Sequence, residues 1–267
     1  MTTPKALWLI GCGTMAGAML RRWIAEGAVR GEDVFVLNRG DRDLPPGVRQ
    51  GRALPDGPLP DAVMLGVKPQ QIDLIAGQIA TRIAGVPMLV SILAGVEEAA
   101  LAARFDATAI VRAMPNLPVE IGKGVVALYS DSADDDARAG VRTLMAPLGL
   151  VEWVDVAQFD AVTALAGSGP AFVYRFIDAL AEAGAAVGIP ADQALRLALA
   201  TVEGGALLAA QSSDTPAALA DKVASPGGST RKGLDILDAD AALVKLLTAT
   251  LDAAERRNAE MATAARG

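Results

Sequence analysis

The stretch Leu7-Trp8-Leu9-Ile10-Gly11-Cys12-Gly13-Thr14-Met15-Ala16 constrains the fold more than any other part of the chain. Its apolar run, Ala6 to Ile10, has no polar alternation and reads as a strand buried on both faces. The glycines then turn the chain, and Met15, Met19, Leu20, Trp23 and Ile24 recur at helical spacing until Gly27. A second apolar run, Val34 to Leu37, closes a strand–helix–strand unit of about 30 residues. In such a unit Gly11 makes the tight turn and Gly13 lets the backbone approach a pyrophosphate. Ala16, being small, lets helix and strand pack closely. The helix start adds unpaired N–H groups and the positive end of its dipole. Gly11, Cys12, Gly13, Thr14 and Met15 are therefore expected to hold a dinucleotide.

The alternation continues for about half the chain. Strands are predicted at 62–67, 88–92, 109–113, 125–129 and 151–154. Helices are predicted at 70–83, 97–105 and 134–145, and strands alternating with helices imply a doubly wound parallel sheet covered on both faces. The stretch 41–60, rich in Pro, Gly and charge, has no clear assignment. After residue 157 strand-like runs stop, and helices are predicted at 169–187, 191–211, 216–223, about 231–237 and 241–261. The expected organisation is a Rossmann-type domain over 1–157 followed by an all-α domain over 158–267. Within the first long helix, Ala171, Phe172, Val173, Ile177, Leu180, Ala183, Ala186 and Val187 leave almost no polar face. A helix apolar all round must be covered all round, and roughly 110 residues can hardly surround it. A homodimer is expected, with a central helix in a monomeric bundle as the alternative.

Composition narrows the chemistry. The chain of 267 residues carries net charge −7 and has no basic stripe, which argues against nucleic acid and anionic lipid as partners. It has one cysteine and no histidine, so no disulfide, no histidine- or cysteine-built metal site and no Ser-His-Asp triad can form within it. The N-terminal apolar run is too short for a membrane span. A cytoplasmic protein without a metal is expected.

Several strand ends carry candidate site residues. Asn38-Arg39 follows the strand 34–37, where folds preferring NAD usually place an acid for the ribose 2′-hydroxyl. With no acid at Asn38 and with Arg39 beside it and Arg42 nearby, a 2′-phosphate is favoured; Arg39 as a solvated loop charge is the alternative. At Gly66-Val67-Lys68-Pro69 a strand ends over the ligand crevice, and Lys68 either meets the cofactor or a substrate carboxylate, or lies in solvent. In Met114-Pro115-Asn116-Leu117-Pro118, Asn116 either binds nicotinamide or substrate, or only caps its turn. Ala224-Ser225-Pro226-Gly227-Gly228-Ser229-Thr230 precedes a short helix. That loop either holds a small carboxylate on free N–H groups or is a helix cap formed by Ser229 or Thr230.

Taken together, these stretches resemble the pyrroline-5-carboxylate reductases. The resemblance rests on Ile10 to Met15, Val67-Lys68-Pro69, Val90-Ser91-Ile92-Leu93-Ala94-Gly95-Val96, Arg112 to Asn116, Gly167-Ser168-Gly169-Pro170-Ala171 and Ser225 to Thr230. These occur in the family's order along essentially the whole chain. The resemblance implies reduction of the cyclic imine 1-pyrroline-5-carboxylate to L-proline, the last step of proline biosynthesis. The hydride would come from NADPH, with NADH as a second donor. It implies a helical dimerisation domain of the 6-phosphogluconate dehydrogenase C-terminal type, in a family whose dimers often assemble into rings. Carried over by position, Ser225, Gly228, Ser229 and Thr230 would surround the substrate carboxylate, with Ser225 and Thr230 as the catalytic pair and the Thr230 hydroxyl on the ring nitrogen. Gly11, Cys12, Gly13, Thr14, Met15, Asn38, Arg39, Val67, Lys68, Pro69, Ala94 and Asn116 would line the cofactor crevice.

Two positions depart from the family pattern: Leu117 stands where Thr is common, and Ala166 where Ser is frequent. Both remove hydroxyls and leave room for a different cyclic imine acid. Among rivals, a 3-hydroxyacid dehydrogenase needs a base, typically a lysine on the first long helix, yet no lysine lies between Lys123 and Lys222. The carboxylate-binding loop argues against an imine reductase of broader scope. A non-catalytic NADP(H)-sensing protein would bind cofactor without turnover.

Overall fold

In the computed structural model, which describes residues 5–266, the chain divides into two compact units. One comprises residues 5–168 together with 254–266, the other 169–253.

The first unit is built on an eight-stranded sheet in the order β3-β2-β1-β4-β5-β6-β7-β8. Its strands are β1 (Leu7–Ile10), β2 (Val34–Leu37), β3 (Arg49–Gly51), β4 (Ala62–Leu65), β5 (Val86–Ser91), β6 (Ala107–Pro115), β7 (Gly124–Tyr129) and β8 (Gly149–Trp153). Its helices include α1 (Thr14–Ala25), α2 (Ile72–Ile79), α3 (Glu98–Ala102), α4 (Asp135–Met145) and the single turn α5 (Phe159–Val162). Successive strand residues feed opposite cores. Leu7, Leu9, Val34, Val36, Ala62 and Met64 pack with Met19, Leu20 and Trp23 of α1 and with Val141 and Leu144 of α4. Trp8, Ile10, Phe35, Val63 and Leu65 pack with Ile72, Ile75 and Ile79 of α2 and with Leu101 of α3. Both β1 and β4 are buried at every position, as an unbroken apolar run requires.

The sheet departs from an all-parallel arrangement in one place. Strand β7 runs antiparallel to β6, with Arg112 opposite Tyr129, and β8 runs parallel to β7. The cause is chain length. Only residues 116–123 lie between β6 and β7, whereas a parallel return needs about a dozen or more. Those residues form a 3₁₀ turn, Leu117–Ile121, that ends at Gly122 with φ +68°. The unassigned stretch 41–60 contributes β3, a short edge strand paired in parallel with β2.

In the second unit, α6 (Gly169–Ala186), α7 (Ala191–Gln211), α8 (Pro216–Val223) and α9 (Ser229–Asp238) are followed by the start of α10 (Ala242–Arg266). Prolines and glycines set these bounds, Pro170 and Pro216 standing in first turns and Gly188 (φ +102°) after α6. Small residues let the helices approach closely: a Cβ on Gly184 would lie 3.3 Å from the Ala194 Cβ. The buried residues of α6 and α7 are Ala181, Ala194 and Ala198, while Val173, Phe176, Leu199 and Leu208 are exposed in the single chain. A monomer in water would bury these large side chains and expose the alanines. Among the described residues no helix is long and apolar enough to cross a membrane.

Candidate active site

The sheet reverses its winding between β1 and β4, and the ends of β1, β2, β3 and β4 open together there. A ligand crevice belongs at such a switch point. A cavity of about 470 Å³ occupies it, lined by Gly11, Cys12 and Gly13 after β1, Asn38 and Arg39 after β2, and Arg52 after β3. Gly66, Val67 and Lys68 after β4 complete the strand ends, and Arg42, Gln71, Ile75 and Gln78 lie around them.

The loop geometry follows from its small residues. Gly11 has φ +84°, and a Cβ there would meet Val67 Cγ1 at 2.7 Å. A Cβ on Gly66 would lie 2.8 Å from the Gly11 carbonyl and 3.0 Å from the Ala16 Cβ, so Gly11, Gly66 and Ala16 pack as one contact. Gly13 differs. Its φ of −79° and ψ of −165° suit any residue, and a Cβ there would meet nothing within 4 Å. Nothing among the described residues requires that glycine, whereas a ligand resting on the loop would. Gly13 is also the N-cap of α1 and has no side-chain cap, leaving the first-turn N–H groups facing the loop.

Asn38 braces this loop from the next strand, its Oδ1 accepting from the Cys12 N–H at 3.0 Å. Its Nδ2 is buried without a partner among the described residues, and a buried donor left unmet costs about 1–3 kcal/mol. Burial pushes the Cys12 thiol up, opposed by the charges of Arg21 and Arg42. The lining holds four cations, Arg39, Arg42, Arg52 and Lys68, and no carboxylate. An open glycine, uncapped helix N–H groups, an orphaned amide donor and a cationic wall together fit a phosphorylated dinucleotide.

Thr14 lines an adjoining cavity of about 380 Å³ with Cys12, Gly13, Arg21 and Arg42. Met15, Pro69, Ala94 and Asn116 line neither cavity. Asn116 is buried, with Nδ2 donating to the Ala166 carbonyl at 2.9 Å and Oδ1 accepting from the Val125 N–H at 2.8 Å. It ties the ends of β6 and β7 to a π-helical turn, Thr163–Gly167. In the second unit, Gly228 rather than Ser229 or Thr230 is the N-cap of α9, and no side chain caps that helix. Gly227 has φ +73°, and the Gly228 N–H donates to the Ser225 carbonyl at 2.9 Å. The first turn of α9 therefore presents Ser229 and Thr230 with its own N–H groups.

Sequence reasoning missed Arg52, Gln71, Ile75 and Gln78 as cavity residues. The 3.6-residue spacing of α2 carries the signal for Gln71, Ile75 and Gln78. None exists for Arg52, because β3 is too short and polar to read as a strand.

A glycine loop and helix N-terminus at the switch point of a doubly wound sheet, walled by arginines, define a dinucleotide-binding oxidoreductase fold. Residues 157–261 match the family described as pyrroline-5-carboxylate reductase dimerisation. A pyrroline-5-carboxylate reductase of Synechocystis is 38% identical over 87% of this chain and 89% of its own length. The structure of a pyrroline-5-carboxylate reductase from Coxiella burnetii is similar at TM-score 0.87 and 29% identity, covering 97% of this chain and 99% of that one. A Plasmodium falciparum pyrroline carboxylate reductase with NADP bound shares the fold at TM-score 0.83 and 22% identity, over 98% of this chain and all of that one. The chain belongs to the pyrroline-5-carboxylate reductase family.

Proposed function

We propose that this protein reduces 1-pyrroline-5-carboxylate to L-proline with NADPH, as a homodimer in the cytoplasm. The observation that carries the reaction is the end-to-end match to reductases of that name. The acid-free cationic cavity carries the cofactor preference. NADPH, when bound, supplies the hydride. Residues 1–157 serve the cofactor, and residues 158–267 serve substrate and dimerisation.

Gly11 to Gly13 and the start of α1 hold the pyrophosphate, while Arg39 pairs with the 2′-phosphate. The Asn38 Nδ2 donates to the adjoining ribose or its phosphate and so meets its missing acceptor. Asn116 acts as a positioning residue, since its amide is held by the backbone on both sides. In the second unit Ser225, Gly228, Ser229 and Thr230 hold the substrate carboxylate on the uncapped turn of α9. The Thr230 hydroxyl lies against the ring nitrogen and orients it or relays its proton. A protonated imine is already electrophilic, so orientation matters more than a strong acid. The absence of histidine from the sequence is consistent with that demand.

Exposed Val173, Phe176, Leu199 and Leu208 on α6 and α7 support the dimer, because a second copy of these helices is of the right chemistry to cover them. A panel of cyclic imine acids tested with NADPH and NADH checks the reading. Highest kcat/KM for the five-membered ring with NADPH is expected. Preference for another ring, at the positions where Leu117 and Ala166 lack hydroxyls, would transfer the assignment to that imine acid.

A further inference from the structure

We infer that Arg52, at the exit of β3, and Arg42, whose backbone Gln50 holds, form a second cationic wall that reads the cofactor's 2′-phosphate alongside Arg39. This rests on the NADPH reading above and extends it to residues from a segment without a legible sequence pattern.

The wall is built by sheet register. Strand β3 lies beside β2 with Leu37 paired to Gly51, and the Asn38 N–H donates to the Gly51 carbonyl at 3.0 Å. Arg52 therefore leaves the sheet one residue past that pair, beside Asn38 and Arg39. Residue 51 is a tight fit, since a Cβ there would meet Phe35 Cζ at 3.0 Å. The loop between β2 and β3 is fastened by one side chain. Gln50 Oε1 accepts from the Arg42 N–H at 3.0 Å, and Gln50 Nε2 donates to the Arg42 carbonyl at 2.9 Å. Both backbone polar groups of Arg42 are thus met as a neighbouring strand would meet them, and the loop is drawn onto β3. Arginines from the β2 exit, the loop and the β3 exit consequently line one cavity with no carboxylate among them. The chain as a whole is acidic, with net charge −7. A neutral ribose diol would offer these guanidinium groups hydroxyl acceptors but no charge to pair with. A phosphomonoester offers up to two negative charges and three acceptor oxygens, matched to their planar donors.

Calorimetric titration with 2′,5′-ADP and with 5′-AMP tests the wall without turnover. The wild type is expected to bind 2′,5′-ADP more tightly. Arg52→Ala should weaken 2′,5′-ADP on the order of tenfold, leaving 5′-AMP within about twofold of wild type. Arg52→Lys should lose less, because it keeps the charge without the bidentate fork. Gln50→Ala should shift 2′,5′-ADP in the same direction by a smaller factor, with 5′-AMP unchanged. In steady-state kinetics Arg52→Ala should raise KM for NADPH by a larger factor than KM for NADH. Equal loss of both ligands, or of neither, in both Arg52 variants of a protein that still prefers 2′,5′-ADP would overturn the inference and leave the NADPH reading standing. An unchanged Gln50→Ala would remove Gln50 from it. A wild type indifferent to the 2′-phosphate would instead overturn the NADPH reading and this inference with it.

Discussion

Replacing Gly13 with alanine separates what the fold needs from what the ligand needs. The position has ordinary extended backbone angles, and the added methyl would meet nothing within 4 Å. Two small effects oppose each other: alanine restricts the unfolded chain, which stabilises by about 0.4–1 kcal/mol. Alanine is also a worse N-cap than glycine, which costs about 0.5–1 kcal/mol. The net change in stability is therefore close to zero. The methyl would, however, stand where the pyrophosphate is proposed to rest, and overpacking of that kind costs about 1–3 kcal/mol, or roughly five- to 150-fold in affinity. Gly11→Ala is the contrasting control. Its left-handed backbone costs alanine about 1–2 kcal/mol, and the 2.7 Å approach to Val67 adds about 1–3 kcal/mol. That sum corresponds to a fall in Tm of roughly 4–20 °C. Thermal unfolding of the free protein and fluorescence titration with NADPH measure both quantities. Expected are a Gly13→Ala variant of wild-type Tm with weak NADPH binding and a Gly11→Ala variant of clearly lower Tm. Wild-type NADPH affinity in Gly13→Ala would refute the placement of the pyrophosphate on this loop.

Three further outcomes are expected. Thr230→Ala should lower kcat on the order of tenfold to a hundredfold through loss of a hydrogen bond to a charged group, with NADPH affinity unchanged; an unaltered kcat/KM removes Thr230 from the mechanism. Because burial raises the Cys12 thiol, its alkylation should be slow at neutral pH and accelerate only above the free-thiol value of about 8.5. NADPH should protect it, since Cys12 lines the cavity; fast, unprotected modification at pH 7 would contradict both points. Phe176→Asp should turn a dimer into a monomer in light scattering, as Phe176 is 51% exposed on α6 of the single chain; a wild-type monomer at the same concentration would refute the proposed covering of that face.

The parts of the fold legible in the sequence are those where one physical signal dominates. Unbroken apolar runs such as Leu7–Ile10 and Val34–Leu37 form the buried strands expected of them, and the helices expected at 169–187 and 216–223 agree with α6 and α8 to within one residue. The antiparallel turn at β7 was hidden because apolar pattern carries no strand direction. The short link 116–123 held that information instead. Strand β3 was hidden because Arg49-Gln50-Gly51 is stabilised by its register with β2 and by the Gln50 side chain rather than by apolar burial. In the candidate site Gly11 to Gly13, Asn38-Arg39 and Val67-Lys68 could be read from their places at strand ends, and these reach the cavity, whereas Thr14 lines the adjoining one and Met15 neither. The local task of Asn116 could not, because its partners Val125 and Ala166 are distant in sequence or tied by tertiary contact. Helix capping by Ser229 or Thr230 was equally plausible from composition, and backbone geometry alone assigns the cap to Gly228.

The central claim is that this chain reduces a cyclic imine acid with NADPH. Its most direct test incubates the purified protein with 1-pyrroline-5-carboxylate, follows NADPH loss by absorbance and quantifies product by chiral chromatography. The expected result is one L-proline formed per NADPH consumed, with turnover abolished when either is omitted. NADPH bound by the protein with no proline formed, from this imine or any other cyclic imine acid, would contradict it.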